Sequence, residues 1–350
     1  MNIVFVYCEN QIPHANSTGW RGKTFYSAIN KTGLHQVVLV KYSDVINQKE
    51  KAITSCQESQ LIILEGSTHF DMLNVINFWK SRGKKVVVDI PLTHESSCNE
   101  HFPSPNNTLP ISKLFSRINE QRAFQIDQIE RFRWGLHLAD CIIVSSLHAQ
   151  SHWQSTAPIK LIKDFIDLDS LQDIVKIKHE ELIIGLFYDT SPVEESFQLL
   201  LNLLIENHSN VKWYPLGQPQ LLFGISPDAI YDKFPPGQSI KWPGPLSLID
   251  MAIFWDSKSN PGDYYQTILE VMSKKIPWIL NTGKGYKEIE KYGLIVQNQT
   301  DWKQKITEFL QNSRTLGYQE NGYLFSIGLN IDDHVHEILA TYSEIIKNSG

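Results

Sequence analysis

The sequence predicts an α/β protein with two parallel-sheet domains, and two observations support this fold class. Short apolar runs alternate with amphipathic helical segments in the first half of the chain, and the same alternation restarts in the second half. The chain has 350 residues, of which 42% are hydrophobic, which is enough for two sizeable cores. Alternating strands and helices favour parallel sheets that are covered by helices.

Each predicted strand is a short apolar run between turn-forming segments. In the first half, strands are expected at Ile3–Tyr7, Gln36–Tyr42, Leu61–Glu65, Lys85–Ile90 and Cys141–Ser145. In the second half, they are expected at Leu182–Tyr188, Val211–Leu216, Ile240–Trp242, Ala252–Trp255, Trp278–Asn281 and Leu294–Val296. Helices are expected at Lys23–Asn30, Phe70–Ser81 and Ile331–Lys347, the last with one apolar face.

The boundary between the domains is predicted between Lys160 and Asp173, where the first series of strands has ended. We therefore expect an N-terminal domain over residues 1–163 and a C-terminal domain over residues 174–330. Residues 331–350 are expected to form a helix that packs on the rest of the protein. Whether this helix crosses back to the N-terminal domain is left open. Residues 95–113 are rich in Pro, Ser and Asn, which predicts a long loop or lid.

Composition and spacing exclude several classes of function. The net charge is −6 and no long block of Lys and Arg occurs, so nucleic acid is not an expected partner. The four cysteines lack zinc-type spacing and the histidines are scattered, so no metal is expected. Neither a signal peptide nor an apolar run of ~18 residues is present, which predicts a cytoplasmic protein. The basic and aromatic segment Lys113–Trp134 leaves open a peripheral contact with the inner membrane surface.

The segment around Glu270 is the strongest candidate for a ligand site. The apolar strand Met251–Trp255 is followed by the break Asn260–Gly262, and Asp263 or a neighbour is placed to cap a helix whose free N–H groups attract anions. Glu270 lies on the apolar side of that helix, which is unusual for packing alone. The next strand runs into the flexible turn Gly283–Gly285. Since ligands bind outside the carboxyl ends of parallel strands, both turns are expected near a ligand.

Five short segments occur in a characteristic order along the chain. They are Gly19-Trp20-Arg21-Gly22 in a glycine loop after the first strand, Gly33–Val37, Leu138–Ser145, the linker-like Ile162–Leu168, and Leu269–Pro277. Together they resemble the GT-B glycosyltransferases, in particular the retaining family 4 that includes sucrose synthase and many bacterial polysaccharide enzymes. In that family, the last segment reads Glu-Ala-Met-Ala-x-Gly-x-Pro.

The resemblance implies two Rossmann-like domains facing a central cleft, with the acceptor on the N-terminal domain and the nucleotide-sugar donor on the C-terminal domain. It also implies that Glu270 accepts hydrogen bonds from the ribose hydroxyls, which a carboxylate does without a metal. The alternative for Glu270 is a bridge to nearby backbone. The further donor-binding residues are expected to be Arg21, Gly22, Gly262, Asp263, Gly283 and Lys284.

Two departures from the family pattern affect the donor site. The family has a second glutamate eight residues before the first, and here that position is Gly262. Asp263 either substitutes for it with a shorter reach or only caps the helix. The segment Gly185–Pro192 also lacks the Arg and Lys that family members use for the diphosphate. The compensating charge is then expected from Lys284, Arg21 or helix N–H groups.

His94 is the candidate catalytic residue, because the resemblance implies a histidine near this strand end that contacts the donor sugar or the acceptor. The alternative is a loop histidine in water. The expected function is transfer of a hexose-like sugar from a nucleoside-diphosphate sugar to a glycan or lipid-linked acceptor in polysaccharide biosynthesis. Retention and independence of metals and cofactors are expected. A non-catalytic binding or scaffold subunit with the same fold is the alternative.

Overall fold

The chain divides into two compact units of similar size. The computed structural model describes residues 1–7, 18–65, 72–90, 132–153, 157–188, 211–217, 242–256, 264–281, 285–296, 301–302, 304–307 and 317–347. Unit 1 comprises Met1–Asn10, Phe25–Lys163 and Val335–Gly350. Unit 2 comprises Gln11–Thr24 and Asp164–His334.

Unit 1 is built on a six-stranded parallel sheet. Its strands are β1 (Asn2–Tyr7), β2 (Gln36–Lys41), β3 (Leu61–Glu65), β4 (Lys85–Ile90), β5 (Cys141–Val144) and β6 (Ile159–Leu161). Their order in the sheet is β2-β1-β3-β4-β5-β6, and every pair is parallel. The central strands β3 and β5 are buried at every position, as expected for parallel strands covered on both faces.

Unit 2 contains a five-stranded parallel sheet. Its strands are β7 (Leu182–Tyr188), β8 (Val211–Gly217), β9 (Met251–Trp255), β10 (Trp278–Leu280) and β11 (Leu294–Ile295). Their order is β11-β10-β9-β7-β8. Pro215 lies in β8, at the edge of the sheet, where a missing backbone N–H interrupts no central ladder.

Helices flank both sheets. In the described part of the chain they are α1 (Thr18–Lys31), α2 (Tyr42–Ile46), α3 (Glu50–Glu58), α4 (Met72–Lys80), α5 (Leu147–Trp153), α6 (Leu168–Gln172), α7 (Tyr265–Ser273), α8 (Tyr318–Ile327) and α9 (Ile331–Lys347). Residues 132–138 are also helical, and 3-10 turns occupy Gly244–Ser247 and Glu290–Tyr292. Among these described helices, none has both the length and the apolar character needed to cross a membrane.

The predicted fold class is confirmed, and three local predictions need correction. Trp242 lies in a turn, not in a strand, because Pro243 and Pro245 remove the N–H groups that a ladder needs. The edge strand β6 was missed because its three residues are only half-buried and read as part of the linker. Gly19 and Gly22 belong to α1 and not to a loop, since tertiary packing overrides the low helix propensity of glycine.

Helix α7 ends in a Schellman motif whose central position is Lys275. The N–H of Lys275 donates to Met272 O at 2.9 Å, and the N–H of Ile276 donates to Val271 O at 3.2 Å. Lys275 has φ of 56°, the left-handed conformation that suits glycine. The resembling family has glycine at this position, so the backbone geometry agrees with the family pattern although the residue differs.

Comparing Lys275→Gly with Lys275→Ala isolates the backbone cost at this position. Both substitutions remove the ion pair with Glu320 and the ammonium contact with the Tyr323 ring. Because a Cβ is unfavourable at positive φ, we expect the glycine variant to be more stable by about 1 kcal/mol in urea denaturation. The same pair of substitutions at an exposed interior helix position favours alanine by about 1 kcal/mol. An alanine variant as stable as the glycine variant would contradict the assigned motif.

Candidate functional site

The order of the strands in unit 2 indicates where a ligand binds. The chain runs from β7 outward to β8 and then returns to the other side of β7 with β9, which makes a topological switch point between β7 and β9. Ligands of open α/β sheets bind outside the carboxyl ends of the strands at such a point. Helix α7 follows β9, so its N-terminal end lies at this edge of the sheet.

A buried polar network fixes the carboxyl ends of β9 and β10. Asp256 follows β9 and is 1% exposed. Its backbone N–H donates to Asn281 Oδ1 at 2.7 Å, and Asn281 Nδ2 donates to Asp256 O at 2.8 Å. The Tyr286 hydroxyl donates to Asp256 Oδ2 at 2.5 Å and accepts from the Tyr264 N–H at 3.1 Å. The start of α7 is thus tied to the ends of both strands.

Glu270 lies in the middle of α7 and has an indole as its hydrogen-bond partner. Trp242 Nε1 donates to Glu270 Oε2 at 2.5 Å, and the Glu270 residue is half-buried. Ionised carboxylates have about four acceptor positions, so the indole leaves most of them for another donor. In the described part of the chain, the side chain of Trp242 is the hydrogen-bond partner of the carboxylate.

Trp242 belongs to an aromatic cluster, which we define as Phe187, Trp242, Phe254 and Tyr264. Phe187 meets the Trp242 ring edge-on, with centroids 5.2 Å apart, and stacks on Phe254 at 4.3 Å. Tyr264 contacts Phe254 at 5.3 Å and is the residue from which α7 begins. Aromatic packing of this kind orients the indole N–H, and thereby the carboxylate to which it donates.

The environment of Glu270 changes its protonation. Burial raises its pKa to about 7, the Trp242 hydrogen bond opposes the rise, and the negative charge of Asp167 adds to it. Asp167 is itself engaged as the N-cap of α6, where its side chain accepts from the Ser170 N–H. Because this carboxyl titrates near neutral pH, a ligand that donates hydrogen bonds to it strongly changes its protonation.

Two other predicted donor-binding residues lie in α1. Arg21 is 2% exposed and forms an ion pair with Asp164, so a carboxylate already balances its guanidinium. Gly22 is buried next to it. The donor-binding roles of both residues remain predictions. Removing either partner of such a buried pair costs roughly 3–5 kcal/mol, which makes Arg21 an unsuitable position for testing ligand binding alone.

The remaining predicted site residues, His94, Gly262, Asp263, Gly283 and Lys284, lie outside the described residues. The N-cap of α7 is Tyr264, and no side chain caps this helix in the described part of the chain. Over the same residues, no group of three or more His, Cys, Asp or Glu side chains is arranged to hold a metal ion.

Sequence reasoning missed the partners of the site. The Trp242–Glu270 pair joins residues 28 positions apart, and the Asp256–Tyr286 pair joins residues 30 positions apart.

Comparison with known families and curated proteins gives no match. No family model matches the chain, and no curated protein matches it either. Similarity is found among solved structures, and those described below are 10–14% identical to this chain.

HepE from Anabaena in complex with UDP is 14% identical, covers 98% of this chain and 100% of its own, and has a TM-score of 0.61. HepE in complex with UDP-glucose also matches, with a TM-score of 0.58. A glycosyltransferase from Rickettsia africae is 12% identical over 99% of both chains, with a TM-score of 0.61. A UDP-N-acetylglucosamine 2-epimerase from Listeria monocytogenes, described as putative, is 10% identical over 99% of this chain and 97% of its own, with a TM-score of 0.56. These similarities show that the chain has the two-domain GT-B fold.

The raised pKa of Glu270 predicts a specific dependence of stability on pH. Between about pH 4.5 and pH 7 the folded protein keeps a proton on Glu270 that the unfolded chain has lost, so the free energy of unfolding falls as pH rises through this window. Glu270→Gln has no such proton. We expect it to match the wild type near pH 4 and to exceed it above pH 7 by about 3 kcal/mol.

Urea denaturation at pH 4, 6 and 8 measures this difference. Glu290→Gln is the control, because Glu290 is exposed and its substitution is expected to change stability by less than about 0.5 kcal/mol at any pH. A wild type and a Glu270→Gln variant whose difference in stability is constant from pH 4 to pH 8 would show that Glu270 does not titrate in this way.

Proposed function

We propose that this protein is a glycosyltransferase that uses a nucleoside-diphosphate sugar, with Glu270 holding the ribose of the donor. The observation that supports this best is the half-buried carboxylate of Glu270, oriented by Trp242, on the helix that follows the switch-point strand β9. The GT-B fold adds support, because two structures with that fold are of HepE with UDP and with UDP-glucose. UDP is therefore the first nucleotide to test.

The chemistry of the carboxylate suits the two ribose hydroxyls. Trp242 donates to Oε2, and vicinal hydroxyls are donors that the remaining acceptor positions can take. Hydrogen bonds to the ionised form favour it, so ribose binding lowers the pKa of Glu270 from about 7. Binding of the nucleotide is then coupled to release of a proton near neutral pH.

The finer features of the reaction are part of the proposal. We propose retention of the anomeric configuration, with the leaving diphosphate taking the acceptor proton and the protein supplying position and charge stabilisation without a metal. A hexose-like sugar and a glycan or lipid-linked acceptor fit the family resemblance. His94 is proposed to face the reacting sugar, and Gly262, Asp263, Gly283 and Lys284 to line the donor cleft.

The second candidate function is a non-catalytic subunit that binds a nucleotide sugar. Gly262 favours it, because the resembling family has a glutamate at that position for the donor sugar. Release of UDP from UDP-glucose in the presence of a panel of acceptors distinguishes the two functions. UDP-glucose binding without any UDP release would favour the binding subunit.

The affinity for UDP-glucose is expected to rise with pH in the wild type. UDP-glucose is the right probe because its diphosphate is a diester with no proton to lose near neutral pH, unlike UDP. Since the ribose favours the ionised carboxylate, we expect about tenfold tighter binding at pH 8 than at pH 6. Glu270→Gln is expected to bind more weakly at pH 8 and to show no such dependence. Isothermal titration calorimetry measures both.

Glu290→Gln again serves as the control, with the affinity and pH dependence of the wild type expected. A thermal-shift screen with UDP, GDP, ADP and CMP precedes the titrations and identifies the base. If a folded wild type shows no shift with any of these nucleotides, the proposed function is wrong. If UDP-glucose binds Glu270→Gln as tightly as the wild type at pH 8, the ribose is held elsewhere.

A further inference from the structure

The turn between α4 and β4 carries a dense group of positive charges. Residues 80–85 have the sequence Lys-Ser-Arg-Gly-Lys-Lys, and we call them the basic turn. They lie in unit 1 at the edge of the sheet where the parallel strands begin, since β4 starts at Lys85. Ligands of open parallel sheets bind at the opposite edge, so a site of that kind does not account for this charge. In a chain whose net charge is −6, four cations within six residues indicate an anionic partner.

One carboxylate faces the two lysines at the ends of the basic turn. Asp140 Oδ1 lies 3.0 Å from Lys80 Nζ and 3.2 Å from Lys85 Nζ. The two lysine side chains are 35% and 22% exposed, so both remain accessible from solvent. Because a single carboxylate balances a single positive charge, this group leaves a net positive charge at the surface.

Arg82 and Lys84 have no carboxylate partner among the described residues. Lys84 Nζ donates to the carbonyl oxygen of Ser59 at 3.0 Å and to that of Gln57. Arg82 is exposed, and its Nη1 donates to the carbonyl oxygen of Phe78 at 3.0 Å. Carbonyl oxygens carry no net charge, so both cations stay unbalanced and attract an anionic surface.

An exposed aromatic ring accompanies these charges. Phe78 precedes the basic turn on α4 and is 36% exposed. The Arg82 guanidinium carbon lies 3.5 Å from the centroid of the Phe78 ring. Trp79 is buried and meets the Phe78 ring edge-on, with centroids 4.9 Å apart. A cation held against an apolar ring fits the boundary between lipid headgroups and acyl chains, because the charge meets phosphate there and the ring meets hydrocarbon.

The backbone of the basic turn favours an extended anionic surface over one small anion. The Gly83 N–H donates to Lys80 O at 2.9 Å, and the Lys84 N–H donates to Trp79 O at 3.1 Å, so these donors are used within the turn. A Cβ built on Gly83 would meet no atom within 4 Å, so this position faces open space. Side chains that spread from an open turn contact many phosphates on a flat surface, and a bilayer of anionic lipids offers such a surface.

We propose that the basic turn and Phe78 bind the surface of an anionic lipid bilayer. The cations of the turn face the lipid phosphates, and the Phe78 ring enters the boundary between headgroups and acyl chains. This surface differs from the segment Lys113–Trp134, for which the sequence leaves open a membrane contact. The inference does not depend on the donor-binding role of Glu270.

Sedimentation of the full chain with lipid vesicles tests this inference. Vesicles of phosphatidylcholine alone are compared with vesicles that contain about one third phosphatidylglycerol. We expect the wild type to bind the anionic vesicles at least about tenfold more tightly, and salt to weaken this binding. Arg82→Ser and Phe78→Ser are each expected to lower the affinity about fivefold, because one removes a cation and the other removes the inserted ring.

Two exposed positions outside the basic turn serve as controls. Lys291 Nζ lies 4.9 Å from the centroid of the Tyr292 ring in unit 2, so Lys291→Ser removes a comparable exposed cation. Trp134 is 65% exposed, so Trp134→Ala removes an exposed ring from the other segment. We expect both controls to bind the anionic vesicles within about twofold of the wild type.

Each other outcome would overturn the inference. A wild type that binds both kinds of vesicle equally would show that no anionic surface is recognised. Arg82→Ser and Phe78→Ser variants that keep the melting temperature and the vesicle affinity of the wild type would show that the basic turn is not the contact. A loss confined to Trp134→Ala would assign the membrane contact to the other segment. Binding of an oligonucleotide without binding of vesicles would identify nucleic acid as the partner. Arg82→Gln is the second variant if Arg82→Ser does not fold.

Discussion

The hydrogen bond between the Trp242 indole and the Glu270 carboxylate is the interaction on which the account of this site depends. Glu270 is half-buried in a helix that is otherwise apolar at most positions. One indole N–H compensates only part of the free energy that is lost when the carboxylate leaves water. The result is a pKa of about 7, at which the carboxyl changes its charge in the physiological range. Core packing gives no reason for a carboxylate here, whereas a ligand with hydroxyl donors does.

The rest of unit 2 positions this pair. Phe187 contacts the Trp242 ring edge-on and stacks on Phe254, and the network around Asp256 fixes the start of α7 against the ends of β9 and β10. The Schellman motif at Lys275 ends the same helix. Glu270 thus lies on a helix defined at both ends, and a binding group on a rigid element loses little freedom when a ligand arrives.

The fold could be predicted from the sequence because it depends on local patterns, and the same patterns make Glu270 a candidate for ligand binding. Apolar runs such as Leu61–Glu65 identify strands, and an acidic residue in an apolar helix can be recognised from the linear sequence alone. The partners of Glu270 could not be predicted, since Trp242 and Glu270 meet only after the strands have paired. Arg21 illustrates the same limit: its ion pair with Asp164, 143 residues away, could not be predicted from the sequence. Distant pairings depend on topology, which the local pattern does not contain.

The most direct test of the central claim is an NMR titration of the Trp242 indole N–H resonance with pH, with and without UDP-glucose. Trp242→Phe assigns the resonance among the nine tryptophans. In the free protein, we predict an inflection near pH 7, because the indole proton reports the charge on Glu270. With UDP-glucose bound, we predict that the inflection moves to lower pH, since ribose hydroxyls favour the ionised carboxylate. An inflection that UDP-glucose binding leaves unchanged, or a resonance that does not titrate, would contradict the assignment of Glu270 as the residue that holds the ribose.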